Sequence, residues 1–295
     1  MIEPGGALST EQLVAFRDDG FVHLPGLVPP PLLARLHALF DELLVPGDGT
    51  EQVLLERGSD RVVVNLDTLC PKGNLAVLEL LGLPAILAIA RAICGDDFFL
   101  IQEFAVIKHR GDDNPVLWHQ DMVHGRTGEC FTMGIYLDPS FADDGALRVV
   151  PGSHVSGRDI CALRQEPFVE VPVAAGDALI HDMMLAHSSE PMRAHDLRRV
   201  IYFEFLSARH VLGEEIYSAD LVERRTRLLF AACRLHAERN PEEPAFDLAR
   251  ANPCADDANR PLRDVLDEIH SQPINARPSA YCFDNISLFS QFGGA

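Results

Sequence analysis

The feature that most constrains the fold is a succession of short β-rich runs between Phe98 and Ser207. Turn signals such as RGDDNP, ADDG and AAGD separate the runs FFLIQEFAVIKH, CFTMGIYLD, ALRVVPGSH, FVEVPV, DALIHDMML and RRVIYFEFLS. Many short strands with Gly, Asp and Pro turns are typical of a sandwich or jelly-roll, and not of a parallel sheet. We therefore predict a mainly β protein whose core is a sandwich or a jelly-roll.

Helical patterns flank this core on both sides. Ser9 and Gln12 have the spacing of a capping box, and Gly20 can end the helix that follows. Apolar residues recur at helical spacing in PPPLLARLHALFDELL and PAILAIARAIC, and the pattern is helical again after Arg209. No repeat or linker stands out, so we expect one domain over residues 1–295. Its parts are a helical N-terminal part (about 1–97), a jelly-roll core (about 98–209) and a helical C-terminal extension (about 210–295).

Composition and charge limit the partners. The formal net charge of −19 repels phosphate backbones and anionic membranes, so neither nucleic acid nor a membrane is an expected partner. No long apolar run occurs, and the start MIEPGGALSTEQ lacks the pattern of a secretory signal, which favours the cytoplasm. The seven cysteines are scattered without a C-x-x-C pair, so we expect reduced thiols. A free small molecule is the favoured substrate, and the oligomeric state stays open.

The stretch VLWHQDMVHG, residues 116–125, contains candidate metal ligands. In a β-strand, His119 and Asp121 point to the same face, because side chains alternate. His187 follows another β-like run and is a suitable third ligand. Two imidazoles and one carboxylate on one side of a metal leave positions open for a co-substrate and oxygen, as in mononuclear Fe(II) sites. An H-x-D pair alone is a weak signal, since such a pair often forms only a hydrogen bond at a strand end.

Other polar residues of the chain are further candidates for the site. His124 and His181 are further candidates for ligands, but His181 adjoins Asp182 and fits a core or pocket residue better. Arg198 lies eleven residues beyond His187 and opens the strand RRVIYFEF, where a guanidinium can bind a carboxylate through two hydrogen bonds. Arg199 faces the other way in this strand, and we expect it at the surface.

Taken together, these segments resemble the phytanoyl-CoA dioxygenase family of Fe(II)/2-oxoglutarate-dependent oxygenases. The resemblance runs from about Leu8 to Leu206 and is carried, in order, by DDGFVHLPGL, WHQD, DDGALRVVPGSH, GDALIHDMMLAHSS and Arg198. Family members often have Gly directly after the second histidine and Asn a few residues on, where this chain has Ser188 and Met192.

The resemblance implies that the core is a double-stranded β-helix (jelly-roll, cupin-like) with flanking helices, and it implies roles for individual residues. His119, Asp121 and His187 would bind Fe(II), and Arg198 with Ser189 would hold 2-oxoglutarate. Gln102 and Lys108, on the strand before WHQD, are candidates to line the co-substrate pocket, with a solvated position as the alternative for Lys108.

The resemblance also implies a reaction. O2 and 2-oxoglutarate would yield succinate and CO2 while a C–H bond of a small molecule is hydroxylated or otherwise oxidised, with ascorbate as the in vitro reductant and secondary metabolism as one setting. Asp121 favours hydroxylation, because halogenating relatives have a small residue at this position. Two alternatives remain: a metal-dependent, redox-neutral isomerase or hydrolase of the cupin type, and a non-catalytic ligand-binding jelly-roll. Oxygen-dependent succinate formation would distinguish the oxygenase from both alternatives.

Overall fold

The computed structural model describes residues 8–47, 52–57, 59–70, 74–111, 115–122, 130–270 and 280–282. Its helices are α1 (Thr10–Asp19), α2 (Pro30–Leu43), α3 (Leu75–Leu81), α4 (Pro84–Cys94), α5 (Ile160–Leu163), α6 (Ala208–Gly213), α7 (Ala219–Arg239) and α8 (Leu262–Ile269). Its strands are β1 (Phe21–Leu24), β2 (Gln52–Arg57), β3 (Asp60–Asp67), β4 (Phe98–His109), β5 (Val116–Gln120), β6 (Cys130–Tyr136), β7 (Leu147–Val149), β8 (Val169–Val171), β9 (Ala178–Asp182), β10 (His187–Ser189), β11 (Leu197–Ser207) and β12 (Ala280–Tyr281).

The first helices form where the sequence patterns predict them. Ser9 caps α1 by accepting a hydrogen bond from the N–H of Gln12, and the Gln12 side chain accepts one from the N–H of Ser9. Gly20 ends α1 with φ of 85°, a left-handed conformation that glycine adopts without strain. In α2, prolines occupy the first turn and Leu36 and Phe40 are completely buried. The predicted capping box and apolar spacing are thus present.

The core consists of two antiparallel sheets that face each other. The larger sheet has the order β1-β9-β6-β11-β4-β3-β2, and the smaller sheet has the order β12-β5-β10-β7-β8. The pairings cross long stretches of sequence, as between β4 and β11 and between β5 and β10. The protein is therefore mainly β with flanking helices, and its core is the predicted double-stranded β-helix.

Strand β11 shows how the larger sheet separates a helical layer from a polar interior. Ile201, Phe203 and Phe205 alternate along β11 and pack in the main hydrophobic cluster, which includes α2, α3, α4 and α7. The intervening residues Tyr202 and Glu204 line a cavity on the other face. Because side chains alternate in a strand, one face of β11 is available for chemistry while the other is fixed by packing.

Both terminal parts contribute strands as well as helices, which differs from the sequence-based prediction. β1, β2 and β3 extend the larger sheet, and β12 adds an outer strand to the smaller sheet. β12 is two residues long and pairs with β5, so its position depends on a distant partner. Such a short strand has no periodicity of its own from which it could be predicted.

The C-terminal helix α7 is attached to strand β4 by a buried ion pair. The Arg225 guanidinium is 2.5 Å from the Glu103 carboxylate, and both side chains are almost inaccessible to solvent. The Nε–H of Arg225 also donates to the backbone carbonyls of Leu100 and Ile101. The helix therefore packs on the sheet as part of the core.

The expectation of reduced thiols is wrong for one pair of cysteines. Cys161, in α5, and Cys282, directly after β12, form a disulfide across 121 residues of sequence. The N–H of Cys282 also donates to the carbonyl of Trp118 in β5. Local spacing could not reveal this pair, because only the tertiary fold brings the two Cα atoms to 4.9 Å. The disulfide fastens the short outer strand β12 to the rest of the chain.

Among the described segments, no single helix is long and apolar enough to cross a membrane. The bent pair formed by α3 and α4 passes that test jointly, by length and composition only.

Candidate active site

Three of the predicted site residues lie together between the two sheets. His119 is in β5, Asp121 directly follows β5, and His187 begins β10. β5 and β10 pair so that His119 and His187 are directly opposite each other. One ligand atom from each of His119, Asp121 and His187 lies within 4.8 Å of the other two. Of the described residues, this group has the donor set and spacing of a metal site.

Backbone contacts orient both imidazoles for metal binding. The Nδ1 atoms of His119 and His187 lie 2.7 Å and 2.9 Å from the carbonyl oxygens of Leu117 and Leu185. A carbonyl only accepts, so each Nδ1 carries the hydrogen and each Nε2 keeps its lone pair. The two Nε2 atoms are 3.4 Å and 3.8 Å from Oδ1 of Asp121. Ligands bound to one metal at about 2.1 Å and at right angles lie roughly 3 Å apart, so the three residues fit a metal ion.

Electrostatics favour the protonation states that a metal requires. Burial alone would raise the pKa of Asp121, but the surrounding imidazoles of His187, His119 and His181 hold it well below its ordinary value. Burial, assisted by the charge of His119, lowers the pKa of His187 well below its ordinary value. At neutral pH, Asp121 is therefore a carboxylate and His187 a neutral imidazole.

Two neighbours fix the Asp121 carboxylate from the larger sheet. Thr132 in β6 donates its hydroxyl hydrogen to Oδ2 of Asp121 at 3.0 Å. Nε2 of His181 in β9 lies 3.3 Å from the same oxygen. His181 is 2% exposed and lines the cavity, as expected for a pocket residue. Since Oδ2 is held in this way, Oδ1 remains directed toward the two histidines. His124 lies outside the described residues.

His119, Asp121 and His187, called the metal-ligand cluster from here on, line a cavity of about 370 Å³ between the sheets. The described residues that line it are Val53, Asn65, Asp67, Gln102, Phe104, Val106, Val116, His119, Asp121, Thr132, Leu147, His181, His187, Ser189, Arg198, Tyr202, Glu204 and Tyr281. Its volume is at the lower end of the range for small-molecule sites.

Arg198 reaches this cavity from the start of β11. Its side chain is 2% exposed, and one terminal nitrogen donates to the carbonyl of Gly145 and, at 3.4 Å, to Oγ of Ser140. Gly145 has φ of 84°, so the turn that presents its carbonyl favours glycine. The Nε–H of Arg198 is buried and has no hydrogen-bond partner among the described residues. A buried guanidinium with an unsatisfied donor is suited to an anionic ligand.

Ser189 and Lys108 form a buried pair beside Arg198. Nζ of Lys108 donates to Oγ of Ser189 at 2.8 Å and to the carbonyls of Ser189 and Glu190 at 3.1 Å and 2.7 Å. Lys108 is opposite Arg198 in the β4–β11 ladder and is 3% exposed, so it is not solvated. Ser189 lines the cavity, whereas Lys108 lies behind it. The lysine thus positions the serine and does not itself form part of the described cavity wall.

Gln102 lies at a different level of the cavity. It is opposite Glu204 in the β4–β11 ladder, six residues along β11 from Arg198, and its side-chain amide donates to Glu204 at 2.7 Å. Six residues of strand span roughly 20 Å. Burial, followed by the charge of Asp121, raises the pKa of Glu204 well above its ordinary value. The structure therefore does not bring Gln102 together with Arg198 and Ser189.

Arg199 points to the opposite face, as predicted, but its expected surface position is wrong. Its side chain is 9% exposed and forms two hydrogen bonds with the Asp138 carboxylate at 2.8 Å and 2.9 Å. A third contact at 3.0 Å joins it to Asp41 of α2. The helical layer that covers this face explains the difference, since the back of a strand is solvated only if nothing packs against it.

Several cavity residues are absent from the sequence-based predictions. Thr132 and Glu204 are opposite each other in the β6–β11 ladder, and Tyr202 lies between Arg198 and Glu204 on the same face of β11. Alternation along RRVIYFEF, once its register is known, would identify Tyr202 and Glu204 from Arg198. Tyr281 of β12 stacks on His119 with ring centroids 5.1 Å apart, and only the tertiary fold reveals this contact.

Comparisons with known proteins agree with this architecture. The chain is 25% identical over 155 residues to the L-proline trans-4-hydroxylase of Streptomyces griseoviridis, a match that covers 49% of this chain and 54% of that protein. The crystal structure of EvdMO1 has a TM-score of 0.62 at 28% identity, covering 67% of this chain and 50% of that one. AviO1 from Streptomyces viridochromogenes Tue57 has a TM-score of 0.60 at 25% identity, covering 69% of this chain and 98% of that one.

The chain thus spans about half the length of the hydroxylase and of EvdMO1. The sequence model of the family described as "Phytanoyl-CoA dioxygenase (PhyH)" matches residues 16–200, which is more than half of the chain and includes the metal-ligand cluster and Arg198. The protein therefore belongs to the phytanoyl-CoA dioxygenase family.

Proposed function

We propose that this protein is an Fe(II)- and 2-oxoglutarate-dependent oxygenase that hydroxylates a C–H bond of a small molecule. One observation carries the proposal: a cluster of two histidines and one aspartate shares a cavity with the buried guanidinium of Arg198. A metal site alone serves many reactions, whereas a metal site with a buried cation suits a co-substrate that has an anionic group at each end.

In this proposal, His119, Asp121 and His187 would hold Fe(II) through their Nε2 and Oδ1 atoms, and the cavity that they line would admit the co-substrate, O2 and the substrate. Bound Fe(II) supplies the oxygen chemistry, in which 2-oxoglutarate and O2 become succinate and CO2 while a C–H bond is oxidised. Thr132 and His181 keep Asp121 in one orientation.

Arg198 would bind the distal carboxylate of 2-oxoglutarate, with the Ser189 hydroxyl as a second contact. The unsatisfied Nε–H supports this assignment, because a carboxylate accepts from Nε and a terminal nitrogen of a guanidinium together. Lys108 would fix the Ser189 side chain and also place a positive charge near the anion.

Asp121 supports hydroxylation, because as a metal ligand its carboxylate would take the place that a halide would need. The hydroxylase relative points to the same outcome. The small cavity volume supports a small-molecule substrate, and a setting in secondary metabolism stays a prediction.

The test is a titration of 2-oxoglutarate into the anaerobic Fe(II) protein, followed by the metal-to-ligand charge-transfer absorption. Oxygen-dependent succinate release with Fe(II), ascorbate and 2-oxoglutarate is the second readout. We expect both signals in the wild type and neither in His187→Ala. A protein that binds the metal but yields no charge-transfer band and no succinate would support the redox-neutral isomerase or hydrolase instead.

A further inference from the structure

The end of the cavity away from Arg198 contains a buried acidic residue, Glu204. It is 6% exposed and lines the cavity, and the described side chain that donates to it is the neutral amide of Gln102 at 2.7 Å. An ionised carboxylate has about four acceptor sites, so a single amide leaves most of them unsatisfied. A buried carboxylate in this state is costly unless a further donor or a positive charge approaches it.

The described wall of the cavity offers no such charge to Glu204. Arg198 is its one lysine or arginine, and it lies six residues away along β11. In the proposed function, Arg198 is neutralised by the distal carboxylate of 2-oxoglutarate. Asp67, which also lines the cavity, adds a second acidic side chain. The part of the cavity left for the substrate therefore presents two acidic side chains, and its described wall has no lysine or arginine near them.

The position of Glu204 also connects it to the metal-ligand cluster. Glu204 is opposite Thr132 in the β6–β11 ladder, and Thr132 donates to the carboxylate of Asp121. Residues directly opposite in an antiparallel pair have Cβ atoms about 5 Å apart. A group bound by Glu204 is thus next to the metal centre, on the side away from Arg198.

We propose that Glu204, with Gln102, is the recognition site for the substrate, and that the substrate carries a protonated amine. This inference rests on the proposed function and adds the substrate class. The ammonium supplies the charge partner and the N–H donors that Glu204 lacks, and it holds the neighbouring carbons beside the metal. The co-substrate anion and the substrate cation bind at opposite ends of one cavity, which prevents either from occupying the other's place.

The experiment uses calorimetric titration of the anaerobic Fe(II)·2-oxoglutarate protein with matched probes. The probes are L-proline and L-pipecolate, each paired with its N-acetyl derivative, together with L-lysine, putrescine and piperidine, each paired with its fully N-acetylated derivative. We expect at least one free amine to bind and its acetylated partner to bind at least about tenfold more weakly, since a charge-assisted hydrogen bond is lost.

Glu204→Gln tests the residue directly. It keeps the shape of the side chain and a hydrogen bond with Gln102, and we expect it to weaken amine binding by about tenfold or more while 2-oxoglutarate binds as in the wild type. Glu238→Gln is the matched control, because it removes the same charge from an exposed position on α7, where Glu238 pairs with Arg234. It should bind amines as the wild type does.

The outcomes separate this inference from the proposed function. Binding of 2-oxoglutarate together with a lack of binding by every amine overturns the inference alone. So does equal binding of an amine and its acetylated partner, or unchanged amine binding in Glu204→Gln. Absence of 2-oxoglutarate binding in the wild type contradicts the proposed function itself.

Discussion

Replacement of Arg198 and of its neighbour Arg199 should give opposite phenotypes, although the two residues are adjacent in β11. Arg198 lines the cavity, and Arg199 is buried on the other face against Asp138. We expect Arg198→Ala to weaken the binding of 2-oxoglutarate and Arg199→Ala to lower the stability of the fold.

The magnitudes follow from the surroundings of each guanidinium. Arg198 is 2% exposed, so its removal leaves the co-substrate carboxylate in a poorly solvated place. The loss should be on the order of 2–5 kcal/mol, or roughly thirty- to several-thousand-fold in Kd. Arg198→Lys should recover only part of it, because an ammonium cannot make the same paired contact.

For Arg199→Ala, removal of one partner from a buried ion pair costs about 3–5 kcal/mol. Asp138 keeps the hydrogen bond from the backbone N–H of residue 199 at 2.9 Å, so we expect the lower end of this range. The contact with Asp41 adds little, because the Asp41 side chain is 74% exposed. At roughly 2–4 °C per kcal/mol, the Tm should fall by about 6–12 °C.

The assay pairs the anaerobic 2-oxoglutarate titration with urea and thermal unfolding of the same preparations. Both variants should bind Fe(II) with wild-type stoichiometry, because neither residue is a ligand. An unchanged Kd in Arg198→Ala together with a weakened one in Arg199→Ala would refute the assignment of faces along β11.

Three further changes test other parts of the site. His187→Ala should lose most of the bound Fe(II), measured by anaerobic metal analysis, and keep its circular dichroism spectrum, since the hydrophobic core does not include the metal; full iron retention would contradict the ligand assignment. Lys108→Met leaves three acceptors without their donor, so it should lower the free energy of unfolding by about 1–3 kcal/mol and weaken 2-oxoglutarate binding. Weaker 2-oxoglutarate binding without a loss of stability would instead indicate a direct contact between Lys108 and the co-substrate. Cys282→Ser removes a cross-link over 121 residues, which stabilises the fold by on the order of 4–5 kcal/mol through chain entropy. Its free energy of unfolding in urea should equal that of the reduced wild type. Two free thiols at Cys161 and Cys282 in the non-reduced wild type, found by mass spectrometry, would show that the bond is absent.

The sequence predicted the core and the metal-ligand cluster because both depend on alternation and order. His119 and Asp121 share a face by strand periodicity, and the position of His187 after the β-like run that forms β9 made it the candidate third residue. The same alternation correctly separated Arg198 from Arg199. These are properties of a single strand, so they can be read without knowledge of its neighbours.

Properties that depend on what packs against a strand could not be predicted. The burial of Arg199 requires the helical layer, and the burial of Lys108 requires the adjacent Ser189 segment of the smaller sheet. The disulfide and the contact of Tyr281 with His119 both depend on β12, whose two residues carry no pattern. These features depend on tertiary contacts, which strand periodicity does not specify.

The buried pair of Arg225 and Glu103 has a consequence for the order of folding. Burial of the Glu103 carboxylate of β4 without a charged partner would cost several kcal/mol of folding free energy. Its partner, Arg225, belongs to α7, which begins more than one hundred residues later in the chain. Formation of the sheet and docking of α7 are therefore coupled into one cooperative step. The larger sheet, which contains β4 and forms one wall of the cavity, reaches its final stability only after the ribosome has released enough chain for that helix to form.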